Sequence, residues 1–163
     1  MPTLILMRHA KAGHAPVDFD RPLAPRGRQQ AAWQGSALAR AVGGVDLAIV
    51  SSSARTRQTL TGLNSGGLRV AETWFEDSLY ATSWEGILGL LQRVPEDAGS
   101  VIVVAHEPTI SMAAVMLASK DSPVRDLHAG FSTGTAAIGD VDGWGYLDRG
   151  GYVVRDVLVP HVE

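Results

Sequence analysis

Three apolar runs, Thr3 to Met7, Leu47 to Val50 and Val101 to Ala105, constrain this fold more than any other feature of the chain. None alternates polar with apolar residues, so each needs cover on both faces, as strands of a parallel sheet do. Helical patterns lie between them. From Arg26 to Val42 the residues Ala31, Gly35, Leu38 and Val42, flanked by Ala32 and Ala39, form one apolar stripe that leaves Arg28, Gln34 and Arg40 outside. Gly43-Gly44 ends that helix. A second helix follows Ser53. A third runs from about Ser83 to Arg93, with Trp84, Ile87, Leu88 and Leu91 on one face and Pro95 as its stop, and a fourth starts at Pro108 and continues through Ile110, Ala113, Ala114 and Leu117 toward Lys120.

Strands alternating with helices up to about Lys120 predict βα units with right-handed crossovers and helices on both sheet faces. Beyond that point Thr135 to Val141 and Tyr152 to Val159, separated by the turn-rich Asp142 to Gly151, predict two strands joined as a hairpin on the sheet edge. Arg69 to Trp74 is a further candidate strand. The expected fold class is therefore α/β, a three-layer α/β/α sandwich whose central sheet is mostly parallel with an antiparallel edge. A length of 163 residues and 45% hydrophobic content suit one domain, 1–163, with no repeat or linker.

Composition removes several function classes. With no cysteine there is no thiolate metal site, iron-sulfur cluster or cysteine nucleophile. A net charge of -3 argues against an overall electrostatic grip on nucleic acid or an acidic membrane. No apolar run approaches the roughly 20 residues that cross a bilayer, and Thr3 to Met7 lacks the pattern of a secretory signal, so a cytoplasmic location is expected. No histidine pair has metal-ligand spacing, and no metal or cofactor is expected.

The chemistry gathers at strand ends. Met7-Arg8-His9-Ala10 puts a cation and an imidazole at the carboxyl end of the first strand, where open α/β sheets form their ligand crevice. Val101 to Ala105 likewise delivers His106 just before a helix whose free amides favour an anion. The strand Leu47 to Val50 leads through Ser51-Ser52-Ser53 to Arg55 in the first turn of the next helix. Arginine forks match tetrahedral oxyanions bidentately, so Arg8, Arg55, His9 and His106 together compose a phosphate cradle.

These residues carry a resemblance. Leu6-Met7-Arg8-His9-Ala10 resembles the opening Arg-His motif of the histidine phosphatase superfamily, which includes phosphoglycerate mutases. Ser51 to Thr59 is similar to its second motif, with Arg55, Gln58 and Thr59 matching while Ser52 replaces a proline and Thr56 an alanine. Ala105-His106-Glu107-Pro108 resembles the late Gly-His-any-Pro motif, and Leu23 to Ala31 the start of the first helix, with Ala24 in place of a capping threonine. Asp18-Phe19-Asp20-Arg21-Pro22-Leu23 is similar to an early segment of the small SixA-type phosphohistidine phosphatases. The resemblance covers most of residues 4–115 and is faint from about residue 120. It implies a phosphoglycerate mutase-like fold and a metal-independent ping-pong phosphatase: His9 takes the phosphoryl group and surrenders it to water, while Arg8, Arg55, His106 and, as an extra cation, Arg21 bind phosphate and stabilise the loose transition state.

Relatives acting on alkyl phosphates carry an acid near the position of Ala81, in Leu79-Tyr80-Ala81-Thr82-Ser83-Trp84-Glu85. An alkoxide leaves badly without a proton, whereas imidazole, with a pKa of about 6.5, leaves readily. The missing acid and the lack of lid insertions favour phosphohistidine on another protein as substrate. A general phosphatase of small phosphorylated metabolites and a non-catalytic phosphate-binding module are the alternatives. The expected assembly is a monomer or weak dimer.

Other polar residues have plainer readings. His14, His128 and His161 are structural, Arg26 and Arg57 are solvated helix charges, and Trp33, Trp84 and Trp144 are packing residues. Glu85 closes a capping box with Thr82. Glu107 stabilises a helix dipole and is close enough to the motif to touch substrate.

Overall fold

The computed structural model describes residues 1–122 and 127–162. The three apolar runs lie side by side at the centre of a six-stranded sheet as β1 (Thr3–Arg8), β2 (Gly44–Ser51) and β4 (Ser100–Ala105), in the order β3-β2-β4-β1-β5-β6. β3 (Arg69–Glu76), β2, β4 and β1 run parallel to one another; β5 (Ala136–Asp140), antiparallel to β1, and β6 (Val153–Leu158), antiparallel to β5, complete the sheet. The expected mixed α/β architecture with a late hairpin is present.

Each central strand feeds two cores, because successive side chains point to opposite faces. Leu4, Leu6, Leu47, Ile49, Val101 and Val103 meet α3 (Trp84–Leu91) and α4 (Thr109–Leu117) through Ile87, Leu91, Ile110, Ala114 and Leu117. Ile5, Met7, Ala48, Val50, Ile102 and Val104 meet α1 (Pro25–Val42) and α2 (Ala54–Gly66) through Leu38, Leu60 and Leu63. Helices α1 and α2 approach closely, since a Cβ on Gly35 would lie 2.2 Å from the Leu63 carbonyl oxygen. Only glycine fits there. Gly43, at φ 77°, ends α1 and turns the chain directly into β2.

Local readings need three corrections. Gln34, placed outside the α1 stripe, is fully buried because its Nε2 donates to the carbonyls of Gly134 (2.8 Å) and Leu158 (3.0 Å), tying α1 to the chain on either side of the β5–β6 hairpin. Helix α4 begins at Thr109, with Pro108 as its N-cap. The Thr82–Glu85 capping box does not form: Ser83 is the N-cap, it makes no side-chain cap bond, and Glu85 is exposed at the second helical position. The shift of one residue leaves Glu85 out of reach of the reciprocal bond that a box requires.

Candidate active site

Parallel pairing decides which side chains meet. Arg8 is in register with Ala105, and Val50 with Val104, so the carboxyl ends of β1, β4 and β2 open at one level. The His9 amide donates to the Ala105 carbonyl at 3.0 Å, which extends the β1–β4 pairing past the strand end. It brings the rings of His9 and His106 to a centroid distance of 5.4 Å.

His9 is buried, and its Nδ1 lies 2.7 Å from the Ala10 carbonyl oxygen. A carbonyl only accepts, so Nδ1 carries the proton and Nε2 keeps its lone pair. Nε2 makes no hydrogen bond among the described residues and is not one of the polar atoms sealed from solvent. Burial, then the positive field of His106, Arg55 and Arg8, pushes the imidazole pKa down to about 3, against the Ala10 bond that supports the cation. A neutral, oriented imidazole with an open Nε2 results.

His106 stands behind it. Its Nε2 is 2.8 Å from the Ser51 hydroxyl at the end of β2, and its Nδ1 is buried without a partner. Burial foremost, with Arg55 and Arg8 adding and Asp18 opposing, draws its pKa to about 4. Any anion bound beside it would act against that shift by adding negative charge. Arg8 shares this unfilled condition. Its Nη1 donates to the Phe131 carbonyl at 2.9 Å, but its Nε is buried with no acceptor, and desolvation lowers its pKa.

Arg55 is buried, and its guanidinium donates from Nη1 to the Asp18 carbonyl (2.9 Å) and from Nη2 to Asp18 Oδ2 (3.1 Å). Arg21 bonds the same aspartate through Nη1 to Oδ1 (3.1 Å) and donates from Nε to the Gly13 carbonyl (2.9 Å). The Tyr80 hydroxyl completes the cluster at 2.5 Å from Asp18 Oδ2, with its ring edge-on to His106 at 5.6 Å. These bonds, Tyr80 first, hold the Asp18 carboxyl well below the usual carboxylate range. The arrangement thus brings His9, His106, Arg8 and Arg55 together at the strand ends and links Arg21 to Arg55 through Asp18.

Matching motif residues outside the crevice serve as scaffold. The Thr59 hydroxyl accepts the Ala10 amide (3.0 Å) and Gln58 Oε1 the Leu23 amide (2.7 Å), pinning α2 to the loop after β1. Thr56, where the family has alanine, donates to the Ser51 and Ser53 carbonyls and stiffens the bend into α2. Glu107 accepts the Ser111 amide (2.9 Å) and hydroxyl (2.8 Å), and also the Phe131 amide (3.0 Å). Its helix-start reading holds, and it additionally positions the loop that meets Arg8.

Four predicted bystanders differ in detail. His14, His128 and His161 are all exposed, and His161 packs edge-on to Trp33 at 5.5 Å. Arg57 donates to the Ser52 carbonyl (2.8 Å) and lies 4.2 Å over the Phe75 ring, so it is more than a solvated charge. Ser51, Asp18 and Tyr80 escape a reading by motif. Ser51 and Asp18 sit inside quoted segments without an assigned task, and Tyr80 has no local pattern, since only folding brings it to His106.

The chain belongs to the histidine phosphatase superfamily. Residues 4–77 match that superfamily's branch 1. An uncharacterized protein of Mycobacterium tuberculosis is 37% identical over 117 residues, 69% of this chain and 70% of that one. A structure provisionally named phosphohistidine phosphatase SixA, from Nakamurella multipartitia, is 34% identical and superposes with a TM-score of 0.89 over 99% of this chain and 97% of its own. A similarly named protein of Agrobacterium tumefaciens is 28% identical, with a TM-score of 0.77 and coverage of 98% and 99%. Among the described residues no helix is long and apolar enough to cross a membrane, and no group of three or more His, Asp or Glu side chains is placed to hold a metal ion.

Proposed function

We propose that this protein is a phosphatase that removes the phosphoryl group from phosphohistidine on another protein, through a covalent phosphohistidine on its own His9. The observation that carries the reading is the Nδ1–H bond of His9 to Ala10, which leaves a neutral Nε2 lone pair beside two arginines and a second histidine. In the first step Nε2 attacks phosphorus of a phosphohistidine whose other ring nitrogen carries a proton; the P–N bond of the substrate breaks, and a neutral imidazole departs with that electron pair. In the second, water attacks the phosphorus on His9, the P–Nε2 bond breaks and returns its electron pair to Nε2, and the proton lost by the water leaves with the inorganic phosphate. Arg8, Arg55 and a His106 protonated by the incoming charge stabilise the equatorial oxygens in both steps.

Carboxylates near the crevice support the phosphoramidate over an alkyl phosphate. Asp18 has both oxygens engaged by Arg21, Arg55 and Tyr80, and Glu107 has both engaged by Ser111 and Phe131. Neither is free to protonate an alkoxide, and Ala81 cannot. The test is rapid acid-free quenching with labelled substrate, together with a panel of phosphoimidazole, phosphohistidine peptide and sugar phosphates. Label on His9 and preference for the phosphoramidates are expected. Preference for sugar phosphates overturns the substrate, and absence of label with phosphate release equal to that of His9→Ala overturns the enzyme in favour of a phosphate-binding module.

A further inference from the structure

Beside the crevice lies a second depression of about 410 Å³, lined by Lys11, Arg26, Gln30, Ser132, Thr133, Val159 and Pro160. It is a near neighbour of the phosphoryl site by construction. Lys11 follows His9 by two residues, a reach of at most ~7 Å along the chain, and the far wall, Ser132–Thr133, is continuous with Phe131, which holds Arg8, and Gly134, whose amide donates to the His9 carbonyl at 2.9 Å.

The lining is biased toward donors. Lys11 and Arg26 are both exposed, and among the described residues neither has a salt bridge, since the ion pairs found are Arg21–Asp18, Arg55–Asp18 and Arg155–Asp140. Gln30 spends its oxygen on the Lys11 amide (2.9 Å) and donates through Nε2 to the Thr133 hydroxyl (3.1 Å), so the Thr133 hydroxyl hydrogen is left to give outward. No carboxylate lines this depression, although the chain carries 17 acidic against 14 basic residues; depressions around Arg28 and around Thr135 also lack one, but of these three this one alone brings two cations together.

We propose that Lys11, Arg26 and Thr133 form a second anion subsite, which takes an acidic group carried by the same substrate that presents its phosphoryl group to His9. The inference deepens the functional reading above and rests on it for the identity of the substrate. On a protein substrate the acidic group is an Asp or Glu side chain flanking the phosphohistidine; on a small substrate it is a carboxylate or second phosphate. Open, solvated cations of this kind act by screened attraction, so they set KM and not kcat, and their effect falls with salt.

The decisive variant is the pair Lys11→Gln with Arg26→Gln, compared with the unaltered protein on phosphoimidazole, on phosphohistidine peptides with acidic or neutral flanks, and on a phosphorylated hydroxy acid. For the acidic peptide a KM rise of roughly tenfold at unchanged kcat is expected, shrinking as salt increases, with phosphoimidazole and the neutral peptide unaffected. An equal rise for the phosphorylated hydroxy acid but none for the acidic peptide assigns the subsite to small molecules. Equal kcat/KM for variant and parent on every substrate overturns the proposal. Titration of inorganic phosphate followed by NMR gives a readout independent of turnover: two saturable sites are expected, one perturbing His9 and His106 and one perturbing Lys11 and Thr133, the second lost in the variant. If no substrate is turned over but the second phosphate site is present, the functional reading fails and the subsite stands; if turnover occurs and only one phosphate site is seen, the subsite fails alone.

Discussion

Two groups of buried polar side chains differ in how completely they are satisfied. Under the connection between β5 and β6, Trp144 is fully buried and its Nε1 donates to the Ala98 carbonyl at 2.9 Å, while the fully buried Tyr152 hydroxyl lies 3.0 Å from the carbonyls of both Leu4 and Ala137. At the carboxyl ends of the parallel strands, Arg8 Nε and His106 Nδ1 are buried with no partner, and His9 Nε2 makes no bond. A buried donor or acceptor left unmatched costs about 1–3 kcal/mol. The first group is matched within the folded chain; the second is not, nor is the buried Oε1 of Gln34, and under the proposed function the unmatched atoms beside His9 would meet the phosphoryl oxygens of the substrate.

Breaking each group in turn tests that contrast. The largest effect belongs to His9→Ala, which removes the attacking atom: kcat falls by at least about 10⁴-fold, with no phosphoenzyme in a quenched reaction and a cooperative unfolding transition retained. Trp144→Ala does the reverse. It opens a cavity in the core shared with Leu147 and α3 and costs about 3–5 kcal/mol by denaturant titration, leaving kcat unchanged wherever the variant is folded. A Trp144 variant that stays folded yet loses turnover shows that the two groups are not separate.

Arg55→Ala removes the buried guanidinium that Asp18 orients, and kcat/KM falls by about 10²–10³-fold. Stability changes less than charge removal suggests, because Asp18 keeps its bonds to Arg21 and Tyr80. Equal losses of stability and activity make Arg55 a structural cation.

The same contrast explains what a reader of the sequence can find. The three central strands announce themselves because each carries an unbroken apolar stretch, and Arg8, His9 and His106 stand at or just past the ends of two of them, so strand ends and candidate site residues are read together. Arg55 is found through the turn after β2. Asp18 and Tyr80 are not, because their tasks come from a contact across 62 positions that no local pattern encodes. Gln34 fails for a related reason: its polarity suggests solvent, while its partners, Gly134 and Leu158, lie about a hundred residues or more away. Glu85 shows the opposite error, a local motif present in letters but displaced by one residue from the helix start.

Smaller than these is Tyr152→Phe. Leu4 and Ala137 belong to paired strands, so the lost hydroxyl costs about 0.5–1.5 kcal/mol and does not touch turnover. Its value lies in pH dependence, where the two groups titrate at opposite ends of the scale. His9 and His106 are held neutral in the folded chain, with pKa values of about 3 and about 4, whereas an unfolded imidazole titrates near about 6.5. Between those values the unfolded chain binds more protons, so stability is complete above about pH 6.5 and is lost as pH falls toward the folded values. Tyr152 behaves inversely. Burial raises its phenol above the usual value of about 10, so its contribution is present below that pH and is lost as pH rises beyond it. Carboxylates titrate mostly below about pH 4.3, which leaves the interval from pH 6.5 to 5 as the clearest window on the histidines. Unfolding midpoints should fall there in the parent chain, less steeply in His9→Gln, and less steeply in the parent with inorganic phosphate bound, because an anion favours the imidazolium. Tyr152→Phe should flatten only the alkaline limb. An acid limb indifferent to both His9→Gln and phosphate means that the imidazole already has a satisfied partner, and the reserve of unmatched polar atoms in the crevice has no role in binding.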